Sequence, residues 1–226
     1  MSQDPVLAAT VGAFVGLILW LVDGRCAPRF SVLGGGTMVR SWAEHIAGGI
    51  LLVGPPLLTA GFALRGITGL HLWYAAGVSA VLLWAAAIDV RWRIIPDQIS
   101  YPATLAALAV SPLMGPKPPL LEVADAVLGC LLSGGVFLLF FLLGLLLYRR
   151  GGALGMGDVK LAAFMGMALG YPAVIFAIVL STIAGAVLAI AWGIASRSRK
   201  IGFPYGPAIT AGAIITLLGV GGGSAV

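Results

Sequence analysis

The sequence predicts an all-α polytopic membrane protein of about eight transmembrane helices, with both termini on the extracytoplasmic side. Three observations carry that expectation. The chain of 226 residues is 60% hydrophobic and only 9% charged, with a mean hydropathy of +1.08, whereas a soluble domain is about 25% charged. Its apolar runs are interrupted at intervals that suit bilayer spans. Its basic residues fall almost entirely in alternate loops.

The spans are read at 5–22, 46–64, 72–88, 99–114, 124–147, 158–170, 172–195 and 207–224. The first begins at Pro5 behind Met1-Ser2-Gln3-Asp4. That start lacks a positive n-region, so the run reads as a span and not as a cleavable signal peptide. A short loop, 23–45, separates it from the second span. Arg65 closes the second, and Asp89 closes the third. Pro96 blocks helix continuation and turns the chain into the fourth span, with Asp97 as a residue expected to cap its start. Lys117 separates the fourth and fifth spans, and Arg149 and Arg150 end the fifth. The sixth opens at Asp158 and is short. The seventh ends before Arg197, Arg199 and Lys200, and the eighth follows Pro207, an ordinary residue for a helix start. The organisation is therefore a first helix (1–22), a short cytoplasmic loop (23–45) and a transmembrane bundle (46–226). No internal repeat is visible.

Ten of the 13 basic residues lie in the odd-numbered loops: Arg25, Arg29, Arg40, Arg91, Arg93, Arg149, Arg150, Arg197, Arg199 and Lys200. The positive-inside rule places those loops in the cytoplasm. The net charge of +5 is spread over short loops, which gives no reason to expect a nucleic-acid partner. Lipid is the expected surround. The two cysteines, Cys26 and Cys130, form no CxxC pair and read as free thiols. His45 and His71 fall on opposite sides of the membrane and make a poor metal pair, so no metal site is expected. Met156, Met165 and Met167 read as packing, and Trp20, Trp73, Trp84, Trp92 and Trp192 as an interfacial belt.

Asp89 and Asp158 stand apart from this background. An aspartate at the centre of a bilayer helix costs roughly 2.5–3.5 kcal/mol, and less near the ends. Both residues end spans at cytoplasmic loops, so they share one side and one depth. Two carboxylates in close approach do not both ionise readily. One then acts as acid while the other acts as base on a water, which suffices to hydrolyse a peptide bond. If the third helix stops at Asp89, the helix macrodipoles place the shared proton on Asp89 and make Asp158 the base. Gly155 and Gly157 lack Cβ atoms and let a second backbone or an extended substrate come close. The plainer alternative is a glycine-rich turn with Asp158 as an N-cap. Lys160 reads as an anchor at the cytoplasmic face, and Arg91 and Arg93 as positive-inside anchors.

Taken in order, Ile88-Asp89, Ile95-Pro96-Asp97, Gly155-Met156-Gly157-Asp158-Val159-Lys160-Leu161 and Pro204-Tyr205-Gly206-Pro207 resemble the type IV prepilin leader peptidase family. The resemblance covers about 73–212. It implies an intramembrane aspartyl endopeptidase of the bacterial inner membrane, with Asp89 and Asp158 matching the family's catalytic pair. The supporting residues it implies are Gly155, Gly157, Lys160, Pro96, Asp97, Tyr205, Gly206 and Pro207. The implied substrates are prepilins or pseudopilins of type IV pilus and type II secretion systems, cut after a glycine at the cytoplasmic face. Many members carry a zinc-binding tetracysteine insert after the first span. Here that loop holds only Cys26, so no zinc is expected and proteolysis is expected to need no cofactor. Many members also N-methylate the new terminus with S-adenosylmethionine. The missing insert leaves that second activity open, and no independent methyl-donor motif is visible.

Two other readings use the same aspartates. Presenilin-like intramembrane proteases share G-x-G-D, but their first aspartate follows a tyrosine and their late motif is Pro-Ala-Leu. Here Ile88 precedes Asp89, and the late string is Pro-Tyr-Gly-Pro. A proton-coupled transporter would use Asp89 and Asp158 as a relay, but such sites lie near the midplane between repeats. The topology has a direct check. In intact cells, a membrane-impermeant thiol reagent should label Lys117→Cys and spare Arg150→Cys, both placed in a background lacking Cys26 and Cys130. The opposite pattern would invert the orientation.

Overall fold

A computed structural model describes residues 5–26, 37–147, 154–196 and 203–220, with side chains for 8–18, 47–147, 154–191 and 203–219. Within these residues the chain forms eight α-helices and no strand. They are α1 (Pro5–Cys26), α2 (Thr37–Leu64), α3 (Gly69–Trp92), α4 (Asp97–Val110), α5 (Pro119–Leu147), α6 (Met156–Leu169), α7 (Ala173–Ser196) and α8 (Gly206–Val220). A short 3₁₀ turn, Ser111–Leu113, follows α4. Each expected span has a helix. The fourth differs in detail: its α-helix stops at Val110, and the 3₁₀ turn at Ser111-Pro112-Leu113 carries the rest. The loop basic residues Arg29, Arg149, Arg150, Arg197, Arg199 and Lys200 lie outside the described residues. So do the side chains of Arg25, Arg40, Cys26, Glu44, His45, Trp20 and Trp192.

This is a multi-pass membrane protein. Four helix segments are long and apolar enough to cross a bilayer among the described residues: Ala47–Leu64, Gly69–Trp92, Pro119–Leu147 and Ala173–Ala191. They differ in role. The α3 window is 61% buried, whereas those of α5 and α7 are 17% and 22% buried. A helix apolar all round and buried on few faces is suited to lipid, so α5 and α7 form perimeter and α3 forms core. The shortest helix after α5, the 14-residue α6, is the most enclosed. Leu161, Ala162, Phe164 and Met165 in it are fully buried or nearly so.

One core joins α3, α5, α6, α7 and α8, with Leu82, Phe137, Phe164, Met165 and Ile209 at its centre. Here α5 packs on α6, and α7 on α8. A smaller cluster, Ala8, Phe62, Leu72 and Ala75, fastens α1 and α2 to α3. Helices approach closely in lipid where small residues line the crossing. Gly129 of α5 and Gly166 of α6 face each other's backbone, so that a Cβ on either would overlap the other's carbonyl. The Ser133 hydroxyl donates to the Ala162 carbonyl at 2.7 Å across the same crossing. At the α7–α8 crossing, Gly212 is covered by Ser181.

The α5–α6 crossing is therefore a place where size is not negotiable. Gly166→Val should destabilise the protein by about 1–3 kcal/mol or more through overpacking. Gly135→Ala, which meets nothing within 4 Å, should be neutral or slightly stabilising through helix propensity. Thermal unfolding in detergent would compare the two.

Candidate active site

Three corners of the bundle meet at one end: the C-terminal end of α3, the N-terminal end of α6 and the segment leading into α8. Asp89 and Asp158 stand there, 5% and 7% exposed. A carboxylate withdrawn from water needs hydrogen-bond donors, and each aspartate receives one from a glycine. The Gly206 N–H donates to Asp89 Oδ2 at 2.7 Å. The Gly155 N–H donates to Asp158 Oδ2 at 2.8 Å. Asp158 lies close enough to Asp89 for the two charges to interact.

Local sequence explains both placements. Gly155 is the N-cap of α6 in extended conformation, and Asp158 is the third residue of the helix. Asp158 returns its own N–H to the Gly155 carbonyl at 3.1 Å. The result is the reciprocal geometry of a capping box, with a glycine carbonyl in place of the usual cap side chain. Asp158 thus braces the helix start from inside, and is not the N-cap. On α3, the helix runs three residues past Asp89 to Trp92, and Arg93 closes it in the left-handed region at φ 53°. Its N–H donates to the Asp89 carbonyl at 2.8 Å. Because α3 continues to Trp92, the helix-end case for the shared proton on Asp89 is weaker, with Asp89 inside the last turn and not at its end.

The third corner depends on a close approach. A Cβ on Gly206 would sit 2.9 Å from Asp89 Oδ2 and 3.0 Å from Asp89 Cβ, so any larger residue displaces the carboxylate. Tyr205 sets the position of this glycine. Its ring packs edge-on against Phe137 at 5.8 Å and Phe203 at 5.9 Å and covers Gly185 of α7. Its hydroxyl donates to the Ser181 carbonyl at 3.3 Å. Burial, helped by the charge of Asp158, holds the Tyr205 phenol above its ordinary pKa, which keeps that donor protonated. Pro207 follows inside the first turn of α8.

The remaining sequence candidates sit at the same end in other roles. A Cβ on Gly157 would meet the Ile95 Cβ at 3.0 Å and its backbone N at 3.4 Å. The backbone that comes close at Gly157 is therefore the protein's own α3–α4 corner. Pro96 is the N-cap of α4, and Asp97, its first residue, pairs with Lys160 at 2.6 Å between Nζ and Oδ1. Lys160 also lies 5.1 Å from the centroid of the Tyr101 ring. In the sequence Lys160 reads as an anchor and Asp97 as a cap, with both among the supporting residues the resemblance implies, and their partnership is not visible there. Only their shared end of the bundle hinted at it.

At the opposite end lies a cavity of about 700 Å³, lined in part by His71, Tyr74, Lys117, Asp125, Met167 and Gly170. It belongs to the far ends of α3 and α6 and does not reach the aspartates. No group of three or more His, Cys, Asp or Glu that would hold a metal occurs among the described residues.

The comparisons with known proteins agree in direction. A sequence profile described as "Type IV leader peptidase family" matches residues 76–190. A Burkholderia pseudomallei (strain 1026b) protein named "Prepilin leader peptidase/N-methyltransferase" is 32% identical over 169 residues, 74% of this chain and 53% of its own length. Proteins of the same name from Pectobacterium carotovorum subsp. carotovorum and Bacillus subtilis (strain 168) are 28% and 30% identical, over 69% and 70% of this chain and 54% and 61% of theirs. The chain spans about half the length of the first of these curated relatives. No solved structure matches.

The glycine contacts lead to a contrast. Gly206→Ala should push Asp89 off its donor and cost about 1–3 kcal/mol. Gly155→Ala should be tolerated, because its Cβ would meet Asp158 Oδ2 at an ordinary 3.4 Å. Infrared spectroscopy should show the carboxylate band assigned by Asp89→Asn moving in Gly206→Ala only. An unmoved band would show that the Gly206 contact does not hold Asp89.

Proposed function

Because the chain belongs to the type IV leader peptidase family, we propose that it is an intramembrane aspartyl endopeptidase that removes the basic leader of prepilins or pseudopilins. The single observation that carries the reading is the pair of buried aspartates, each held through Oδ2 by a glycine N–H at one end of the bundle.

The chemistry follows from that pair. One carboxylate, ionised, takes a proton from a water. The other, protonated, gives its proton to the substrate carbonyl as the water oxygen attacks. The resulting tetrahedral intermediate collapses when the carboxylate that took the water's proton gives it to the amide nitrogen, the C–N bond breaks, and the other carboxylate takes back a hydroxyl proton. General acid–base assistance of this kind is worth roughly 10²–10⁴-fold, and the protons belong to the pair and not to either residue. No metal and no S-adenosylmethionine enters a step. Each carboxylate is held through Oδ2 by a backbone N–H.

The expected setting is the bacterial inner membrane, with the cut on the cytoplasmic side after a glycine. A prepilin's apolar helix lies in the bilayer beside the perimeter helices while its charged leader stays in water. The scissile bond must leave the helical state, because a helix hides its carbonyls. The relatives' names include N-methyltransferase, and the present proposal is restricted to proteolysis.

The test is cleavage of a purified prepilin in detergent by wild type, Asp89→Asn and Asp158→Asn, read by mass spectrometry. Wild type should cut once, after the leader glycine. Each variant should lose roughly 10²–10⁴-fold in rate, and the double variant should lose little more, because the two act as a unit. Rates should fall at both acidic and alkaline pH, since the pair needs one proton. A variant that folds and cuts at near wild-type rate would remove its aspartate from the mechanism. Proton flux into liposomes that disappears in Asp89→Asn would favour the transporter reading instead.

A further inference from the structure

We propose that the Asp97 carboxylate receives a basic side chain of the substrate's leader, and that Lys160 occupies this position while no substrate is bound. The inference rests on the peptidase reading above and says which part of the site selects the leader.

The end of the bundle that holds the aspartate pair is rich in arginine in its loops, an environment that repels a basic peptide. Asp89 and Asp158 are buried and engaged by glycine N–H groups. Glu122 and Asp125 lie at the opposite end, beside Lys117. Among the residues whose side chains are described, Asp97 is the one exposed carboxylate at the end where cleavage is proposed, with 53% of its side chain accessible. It is the first residue of α4, where the helix dipole favours an anion.

Position connects it to the site. Lys160 is two residues beyond Asp158 on α6. The corner that carries Asp97 is pressed onto Gly157 through Ile95. Residues two apart on a helix do not face each other, so it is the Ile95 contact with Gly157, next to Asp158, that sets the Asp97 corner beside the site, and the proposed leader path runs along it. Asp97 uses only Oδ1 for Lys160, which leaves Oδ2 for a second cation.

Lys160 has the properties of a placeholder. Exposed ion pairs are weak and easily exchanged. Lysine carries its charge on a flexible stem with three rotatable donors. It also has a second hold, because its Nζ already lies over the Tyr101 ring, 5.1 Å from the centroid, which attracts a cation. An incoming arginine or lysine finds a carboxylate already oriented by an ammonium, and displaces that ammonium from Asp97 while the ring retains it.

Two prepilin substrates provide the test, one with its natural basic leader and one with the basic residues replaced by glutamine. Asp97→Asn should raise KM for the basic leader by up to about fivefold, with kcat nearly unchanged, and should leave KM for the neutral leader as it was. Lys160→Gln should lower KM for the basic leader, and Asp97→Glu should retain the preference. An Asp97→Asn variant that loses equally on both substrates, or loses in kcat with KM unmoved, would overturn the proposal and make the pair a brace between α4 and α6. Should Asp97→Asn fail to fold, Lys160→Gln decides: an unchanged or raised KM for the basic leader overturns the idea. If wild type cuts neither substrate, the peptidase reading fails separately. Fluorescence anisotropy of a labelled basic leader peptide on Asp158→Asn, with and without Asp97→Asn, then decides leader binding alone: equal affinities overturn it.

Discussion

A carboxylate buried within a membrane bundle must find donors inside the protein, and here the donors are two glycine N–H groups. The Gly206 N–H meets Asp89 and the Gly155 N–H meets Asp158, each through Oδ2. Backbone donors have fixed directions, so the two bonds set carboxylate orientation as well as charge balance. Gly206 manages this only because it has no Cβ. The aromatic group of Phe137, Phe203 and Tyr205 then holds the glycine in place from the other side. Much of the packing between α5, α7 and the start of α8 serves that one hydrogen bond.

The helices behave as struts for the same arrangement. Through α3, the aspartate end is linked to the far cavity, and α6 makes the same link in the opposite direction. The two struts are tied near the cavity by the Tyr74 hydroxyl, which donates to the Ala168 carbonyl at 3.0 Å. They are tied again near the carboxylates by the contact of Ile95 with Gly157. The glycine crossing of α5 on α6 fixes the second strut against the perimeter. A pair of side chains far apart in sequence is thus held by contacts made at both ends of the helices that carry them.

Much of this was legible before any geometry. Helices of the membrane class announce themselves through hydropathy, and the alternation of basic loops put Asp89 and Asp158 at one face. The family resemblance added the Pro204-Tyr205-Gly206-Pro207 string without giving its job. That job is spatial: Gly206 touches a residue 117 positions away, and no periodicity encodes such a contact. The partnership of Lys160 with Asp97 was hidden for the same reason, since each has an ordinary local role. The helix-end reading of the shared proton depends on a boundary: α3 runs to Trp92 and is closed there by Arg93 in the left-handed conformation, so Asp89 lies within the last turn and not at the end, and boundaries are the least readable feature of a sequence.

The shortness of α6 has a wider consequence. Its 14 residues make a rod of about 21 Å, against a hydrocarbon thickness of about 30 Å. The perimeter helices α5 and α7, with 29 and 24 residues, are long enough to meet both leaflets. The two most exposed long helices are thus built to one length while the chemistry hangs on a helix of another. When bilayer thickness changes, hydrophobic mismatch falls on α5 and α7, which adjust by tilting. Most of α6 is enclosed by protein, so little of that mismatch acts on it directly. The depth of the carboxylates is a property of the protein's interior, insulated from the acyl-chain length of the membrane around it.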